Sequence, residues 1–381
     1  MKIKNILYVF LLINFMMTPA IHAMEQPDKP QHTEQLSRRI YPSNLPLLLW
    51  CGHFKNDESC LSWLPPELIV EIISHIKKIQ NDQDLLKKDL LNAVIADDEN
   101  EVRRLLNEPY IDANVKDEKG YTPLIRAAIR HSNTDIIQLL LDKGADPDIQ
   151  DNVGWTALNF ALWTLDMIHM LLLGKGANLN IQDDDGYIAL IQAVINNRPE
   201  IVQMLLDKGA NPNIIPYTNS WTPVRWAVEK KNPEIVQMLL NKGANPDIQD
   251  KFGNTALHWA VEKNNQYMVQ LLLNKNANPD IQNDYGMTAV RWAVEKKNPE
   301  IVQMLLNKGA NPDIQDYYGI TALHWAVEKK NPEIVQMLLD KGANPDIQDR
   351  DGLTALKWAM GNPEIIEVLE ARKPQTNCII A

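Results

Sequence analysis

The stretch Gly319-Ile320-Thr321-Ala322-Leu323-His324-Trp325-Ala326 has counterparts along most of this 381-residue chain, beginning with Gly120-Tyr121-Thr122-Pro123-Leu124. The residue two places after each turn glycine, or its substitute, is Thr122, Thr156, Ile188, Thr222, Thr255, Thr288, Thr321 and Thr354, at intervals of 34, 32, 34, 33, 33, 33 and 33. A fixed period of this length marks a chain made of one repeated supersecondary unit. The unit from Thr222 onward shows why. Thr222 opens a short helix in which the small Ala227 lets a neighbouring helix approach. Asn232 caps the next helix and Pro233 suits its first turn, where the missing N–H would be unpaired in any case. Ile235 and Leu239, then Val236 and Leu240, fall four apart and form one apolar stripe. Lys242 favours the negative helix end, Gly243 permits the left-handed stop, and Asn245-Pro246-Asp247 turns the chain into an extended hairpin that ends at Gly253. Helices this short cannot bury their own stripe, so neighbouring units must stack on one another.

A period of 33 with Gly-x-Thr-Pro-Leu or Gly-x-Thr-Ala-Leu at its start resembles the ankyrin repeat. The resemblance covers residues 86–373, with Leu90, Ala93, Val102, Leu105 and Leu106 matching a weaker first unit. It implies a mostly α fold: an ankyrin-repeat solenoid of about nine repeats, each a helix–turn–helix plus a β-hairpin loop, preceded by a short N-terminal helical segment. Several positions depart from the pattern. Lys231, Lys297 and Lys330 stand where glycine usually separates the two helices, at a cost of about 1 kcal/mol each if the left-handed backbone is kept. The third repeat is one residue short between its helices. Ile215-Pro216 and Ser220 replace Gln-Asp and Gly before the fifth, which predicts a local irregularity. The last repeat is shortened at Met360-Gly361, as suits a terminal cap with Glu367 and Glu370 facing water. Arg225–Asp250 and Arg291–Asp316 are identical over 26 residues and lie two repeats apart, so the surface is itself periodic.

Composition narrows the function. Apolar residues are 45 % and charged residues 23 %, close to the globular average. The formal charge of −11 argues against nucleic acid as a partner, since that affinity rests on cations that neutralise phosphates. Cys51, Cys60 and Cys378 are too few for a disulfide scaffold. Cys51, His53 and Cys60 lack a clear fourth ligand for zinc, and Asp183-Asp184-Asp185-Gly186 lacks the oxygen that a calcium loop needs at Ile181. No metal, cofactor, nucleophile–base pair or phosphate loop is expected.

Lys2 and Lys4, a 12-residue apolar run from Ile6 to Met17 and small residues up to Ala23 describe a secretory signal peptide over residues 1–23. Its removal takes the charge from −11 to −13. The run also fits an uncleaved short anchor; it falls short of the about 20 residues of a spanning helix. Residues 24–59 read as a largely irregular linker. Within residues 60–80, Trp63-Leu64-Pro65-Pro66-Glu67-Leu68-Ile69-Val70-Glu71-Ile72-Ile73-Ser74-His75-Ile76 is similar to the start of an F-box, which implies docking of a Skp1-type ubiquitin-ligase adaptor through Leu64, Pro65, Glu67, Leu68 and Ile72. The same apolar residues equally make an amphipathic cap for the solenoid. In the tail, residues 374–381, the ending Cys378-Ile379-Ile380-Ala381 matches a prenylation tetrapeptide and would lipidate Cys378; the protein meets a membrane only in that case.

In arrays that resemble this one, hairpin tips and first helices line a groove for other proteins. The tip residues here are Tyr121, Trp155, Tyr187, Trp221, Phe252, Tyr285, Tyr317 and Tyr318. Aromatic rings give large contact area at low entropy cost; some of these also suit packing against the adjacent hairpin. Trp226, Trp259, Trp292, Trp325 and Trp358 read as a packing ladder, and His258 and His324 as hydrogen-bonding partners of Thr255 and Thr321. Together these features resemble the ankyrin effectors that intracellular bacteria deliver into host cells. The expected function is a non-enzymatic interaction module, exported and acting in host cytosol or at a host membrane. The alternative is an exported scaffold in an envelope compartment with no link to ubiquitin.

Overall fold

The computed structural model describes residues 66–108, 111–174 and 176–371, and the chain divides into two units, Met1–Leu85 and Leu86–Ala381. The expected signal peptide, the linker, Leu64, Pro65 and Cys378 lie outside the described residues. Glu67, Leu68 and Ile72 fall in helix α1 (Pro66–Ile95), where only their backbone is described. A break between residues 80 and 86 is expected from sequence, yet α1 runs through it. The reason is compositional. Neither glycine nor proline occurs after Pro66 up to Ile95, so no helix breaker interrupts α1 at that point.

From Leu86 the second unit is a stack of helix pairs. α2 (Glu99–Leu105) starts at Asp98, whose carboxylate accepts from the Glu101 N–H at 3.0 Å. The first helices of the following pairs are α3 (Pro123–Arg130), α5 (Ala157–Phe160), α7 (Ala189–Ile195), α9 (Pro223–Glu229), α11 (Ala256–Glu262), α13 (Ala289–Glu295), α15 (Ala322–Glu328) and α17 (Ala355–Trp358). Their second helices are α4 (Thr134–Asp142), α6 (Leu165–Gly174), α8 (Pro199–Asp207), α10 (Pro233–Asn241), α12 (Gln266–Asn274), α14 (Pro299–Asn307), α16 (Pro332–Asp340) and α18 (Pro363–Glu370). From α3 to α15 each first helix packs on its own second helix and on the first helices beside it; α9 touches α7, α10 and α11. Ala227, Ala260, Ala293 and Ala326 are wholly buried at these crossings. In α10 the stripe Ile235, Val236 and Leu239 is also wholly buried, worth about 1.5–3 kcal/mol per side chain.

Local chemistry sets the boundaries. Asn232 and Asn331 cap α10 and α16, each accepting from the N–H three residues on at 3.0 Å. In six of the pairs a residue between the helices is left-handed whatever its type: His131, Asn197, Lys231, Asn264, Lys297 and Lys330 have φ of +52 to +56°. The lysine departures therefore keep the backbone and its cost. In the third pair the missing residue shortens α5, which continues as a 3₁₀ turn, Ala161–Trp163. Glu367 and Glu370 are exposed on α18, as a terminal cap requires. The hairpin loops form no strand among the described residues; a lone bridge joins Gln348 and Thr354. Apart from the loop at Pro216, each closes on one short pairing, such as the Asp250 N–H to the Asn254 carbonyl at 2.9 Å, too brief for a ladder.

Candidate protein-binding surface

The tips are built on an aspartate or asparagine that folds its own turn. Asp250 Oδ1 accepts from the N–H groups of Phe252 and Asn254 at 2.9 and 3.0 Å, and its carbonyl accepts from Gly253 at 2.9 Å. Gly253 has φ +74°, and a methyl group there would lie 2.6 Å from the Asp284 nitrogen of the next tip. That close approach lets successive tips join by backbone hydrogen bonds. Asn152 donates to Lys119, Asp184 to Val153, Tyr217 to Asp185, Asp284 to Phe252, Tyr317 to Tyr285 and Arg350 to Tyr318. One step, from Asn219 to Lys251, has no such bond. There Ser220, at φ +57°, replaces the glycine of the other tips.

The eight tip aromatics expected to form one row fall into two sets. Tyr121, Trp155, Tyr187 and Trp221 follow their glycine, or Ser220, and turn inward, half-buried. Tyr121 and Trp155 pack on Phe160 with ring centroids 5.8 and 5.0 Å apart; Tyr187 and Trp221 pack on Trp226 at 6.4 and 4.7 Å. The Trp155 indole also donates to Asp183 Oδ2 at 3.0 Å. Phe252, Tyr285 and Tyr318 precede their glycine and point outward, 46, 60 and 67 % exposed, with Tyr317 beside them at 57 %. Tyr217, 70 % exposed, stands at the tip position of Tyr317 but is shifted in count by the extra residue of the Ser220 tip, and Tyr267, 68 % exposed, lies on α12; both escaped the sequence reading.

Behind the tips, two side-chain schemes alternate. His258 Nδ1 accepts from the Thr255 N–H at 3.2 Å and lies 2.9 Å from its hydroxyl, so Nε2 carries the proton and donates to the Met287 carbonyl at 3.0 Å. Burial is the main cause that lowers this imidazole to about 4. His324 does the same with Thr321 and Leu353. In the intervening repeats the position is Arg225 or Arg291, only 3 and 5 % exposed. The Arg225 guanidinium lies between the Trp221 and Trp259 rings, at 3.9 and 4.0 Å, and Arg291 lies 3.5 Å over Trp325. Burial pushes both guanidinium groups below their ordinary value, against the pull of Glu229 and Glu295. These cations hold their surroundings by stacking where the histidines use a carbonyl.

Trp226, Trp259, Trp292, Trp325 and Trp358 are half-buried at the edge of the core, so the ladder packs while keeping part of each ring outside. Beside it runs a strip of alternating charge. Glu229 bonds Lys263 at 2.8 Å and Arg225 at 3.0 Å, and Glu262 bonds Lys296 at 2.7 Å. Burial alone would raise the Glu229 carboxyl, but Lys263 and Arg225 outweigh it and hold it below the usual range. Among the described residues no group of three or more His, Cys, Asp or Glu is placed to hold a metal, and no helix is long and apolar enough to cross a membrane.

A stack of short helix pairs with projecting tips defines a repeat scaffold. The family described as ankyrin repeats (three copies) matches residues 90–183, 164–250, 224–316 and 308–378, and the chain belongs to it. Ankyrin repeats are protein–protein interaction modules. The chain is similar to ankyrin repeat and MYND domain-containing protein 1 of Mus musculus, 34 % identical over 106 residues, covering 28 % of this chain and 12 % of that protein. The protein of the same name in Homo sapiens is 45 % identical over 56 residues, 15 % of this chain and 6 % of that one. This chain thus spans a small fraction of their length. Among solved structures, the ankyrin repeat domain of Bcl-3, a member of the IkappaB protein family, matches with TM-score 0.51 and 28 % identity, covering 66 % of this chain and all of the other.

Proposed function

We propose that this array holds a target protein against its first-helix face and tips, without bond chemistry of its own. The observation that carries the reading is the outward row of Phe252, Tyr285, Tyr317 and Tyr318 beside the half-exposed tryptophan ladder and the Glu229–Lys263 and Glu262–Lys296 strip. Large aromatic area next to fixed charge is the make-up of an interface core with a polar rim. Affinity capture from candidate host lysate, followed by calorimetry on the purified partner, tests it. Replacing the row by alanine, or reversing Glu262 and Lys296, weakens binding at least tenfold; a partner indifferent to both sets overturns the reading.

The finer proposal adds routing and recruitment. The Lys2–Ala23 segment supports export, and the Leu64-Pro65-Pro66-Glu67-Leu68 stretch supports docking of a Skp1-type adaptor. The protein then acts as an effector that bridges target and ubiquitin machinery by raising their effective concentration. A Skp1 pull-down abolished by Leu64→Ala with Pro65→Ala supports the bridge; no pull-down by the wild type removes it. Cys378 as a prenylation site is tested by farnesyl-analogue labelling in eukaryotic cells, with Cys378→Ser as the blank.

A further inference from the structure

Arg225, 3 % exposed, uses only one corner of its guanidinium. Nη1 donates to Glu229 Oε2 at 3.0 Å. Nε and Nη2 are buried and find no acceptor among the described residues. These two N–H groups point the same way and form the edge of the fork that matches the two oxygens of a carboxylate. The other acid that acts on this cation is Asp250. Its oxygens are already held by the N–H groups of Phe252, Asn254 and Trp259 at 2.9, 3.0 and 2.8 Å. The indole N–H of the adjoining Trp226 is also buried without an acceptor among the described residues, its ring 4.7 Å from that of Trp221. A buried donor left unpaired is costly, more so on a cation, and three in one cluster ask for an acceptor from outside.

Arg291, in the matching place two repeats on, marks the difference. It bonds Glu295 at 2.7 Å, and of its guanidinium only Nε is buried without an acceptor among the described residues. Trp325 covers one face at 3.5 Å, and Met287 stands where Trp221 would. Arg225 has a ring on each face, at 3.9 and 4.0 Å, which screen its edge from water and strengthen a charge pair made there. It also lies at the step from Asn219 to Lys251, where no backbone bond joins the tips among the described residues. Pushing Trp221 aside therefore breaks no link between neighbouring tips. Local charge limits what enters. Arg225 and Lys263 face Glu229 and Asp250, a neutral set that admits one negative charge more easily than two.

We infer that Arg225 anchors a carboxylate slot between Trp221 and Trp259, in which a carboxyl group of the bound protein takes the Nε–Nη2 edge with both oxygens. This rests on the interaction-module reading and names the chemistry the partner brings. The test is nitrogen–proton NMR of the arginine Nε–H and tryptophan indole groups of the full chain, titrated with sodium acetate and, at equal ionic strength, sodium chloride. Acetate shifts the Arg225 Nε–H and Trp226 indole signals to saturation, and chloride does not. An alanine tripeptide with a central glutamate and both ends blocked tests a side chain as the source; its all-alanine twin with a free carboxyl end tests a chain terminus. Saturation by either supports the slot. Arg225→Lys keeps the charge without the fork and weakens acetate more than about tenfold on the indole signal. Circular dichroism confirms the fold, and Arg225→His, which copies His258 of the next repeat, replaces the lysine variant if that unfolds. No saturating shift, an equal shift in chloride, inorganic phosphate binding more tightly than acetate, or an unchanged titration in the folded variants overturns the inference. If acetate fails while a captured partner is still lost on replacing Phe252, Tyr285, Tyr317 and Tyr318, the slot is wrong and the interaction module stands. If acetate saturates while every captured protein ignores both Arg225→Lys and that row, the slot stands and the broader reading falls.

Discussion

The tips on either side of Ser220 are made from the same turn and do opposite things with their aromatics. Up to and including the Ser220 tip, Tyr121, Trp155, Tyr187 and Trp221 follow the glycine position and close over Phe160 and Trp226. After it, Phe252, Tyr285 and Tyr318 precede the glycine and face out. A shift of two residues across a left-handed turn converts a packing residue into a contact residue. The anchoring behind the tips changes too. The position three after each Thr or its substitute is Ile125, Asn159 and Ile191 before Ser220, and Arg225, His258, Arg291 and His324 on the other side. The early repeats place apolar or neutral side chains there, Asn159 bonding Thr156; the later ones place titratable or charged groups.

The largest test of that contrast is acid. His258 is held near 4 in the fold against about 6.5 when exposed, so the unfolded chain takes up a proton that the fold refuses. Stability is full above pH 6.5, falls as the pH drops towards 4 and levels off below, by on the order of 3 kcal/mol. Hydrogen exchange with mass readout should show the segment from α11 to α15 opening before α3 to α7. Uniform opening breaks the comparison. Next comes Gly253→Ala, which meets the Asp284 nitrogen and costs about 2–3 kcal/mol in urea unfolding, against about 1 kcal/mol for Gly243→Ala, whose left-handed φ has open space around it. Ser220→Gly relieves a non-glycine residue held at φ +57° and should raise stability by about 1 kcal/mol, read as a higher melting temperature. The smallest effect is Lys296→Met. It breaks an exposed pair with Glu262 and should move the urea midpoint by no more than about 0.5 kcal/mol.

Much of this was legible in the residues. The spacing from Thr122 to Thr354, the Asn-Pro starts and the Lys-Gly stops announced the helix pairs, because capping and stripe patterns are local chemistry. The shortened third pair and the anomaly at Ser220 could also be read, since each is a departure from a strict period. The direction of the tip rings was not read out, although counting from glycine rather than from threonine would have separated the two sets. The stacking of Arg225 between Trp221 and Trp259 had no signal in one sequence, because those residues lie in different repeats and meet only after folding. The unbroken α1 was obscured by a motif that suggested a boundary where no helix breaker exists.

The unbonded step beside Ser220 has a mechanical meaning. A chain tugged at both ends shares load through every junction between neighbouring units, and the junction with one fewer backbone link yields first. Under traction the array would part between Asn219 and Lys251, leaving two shorter stretches, each still able to grip.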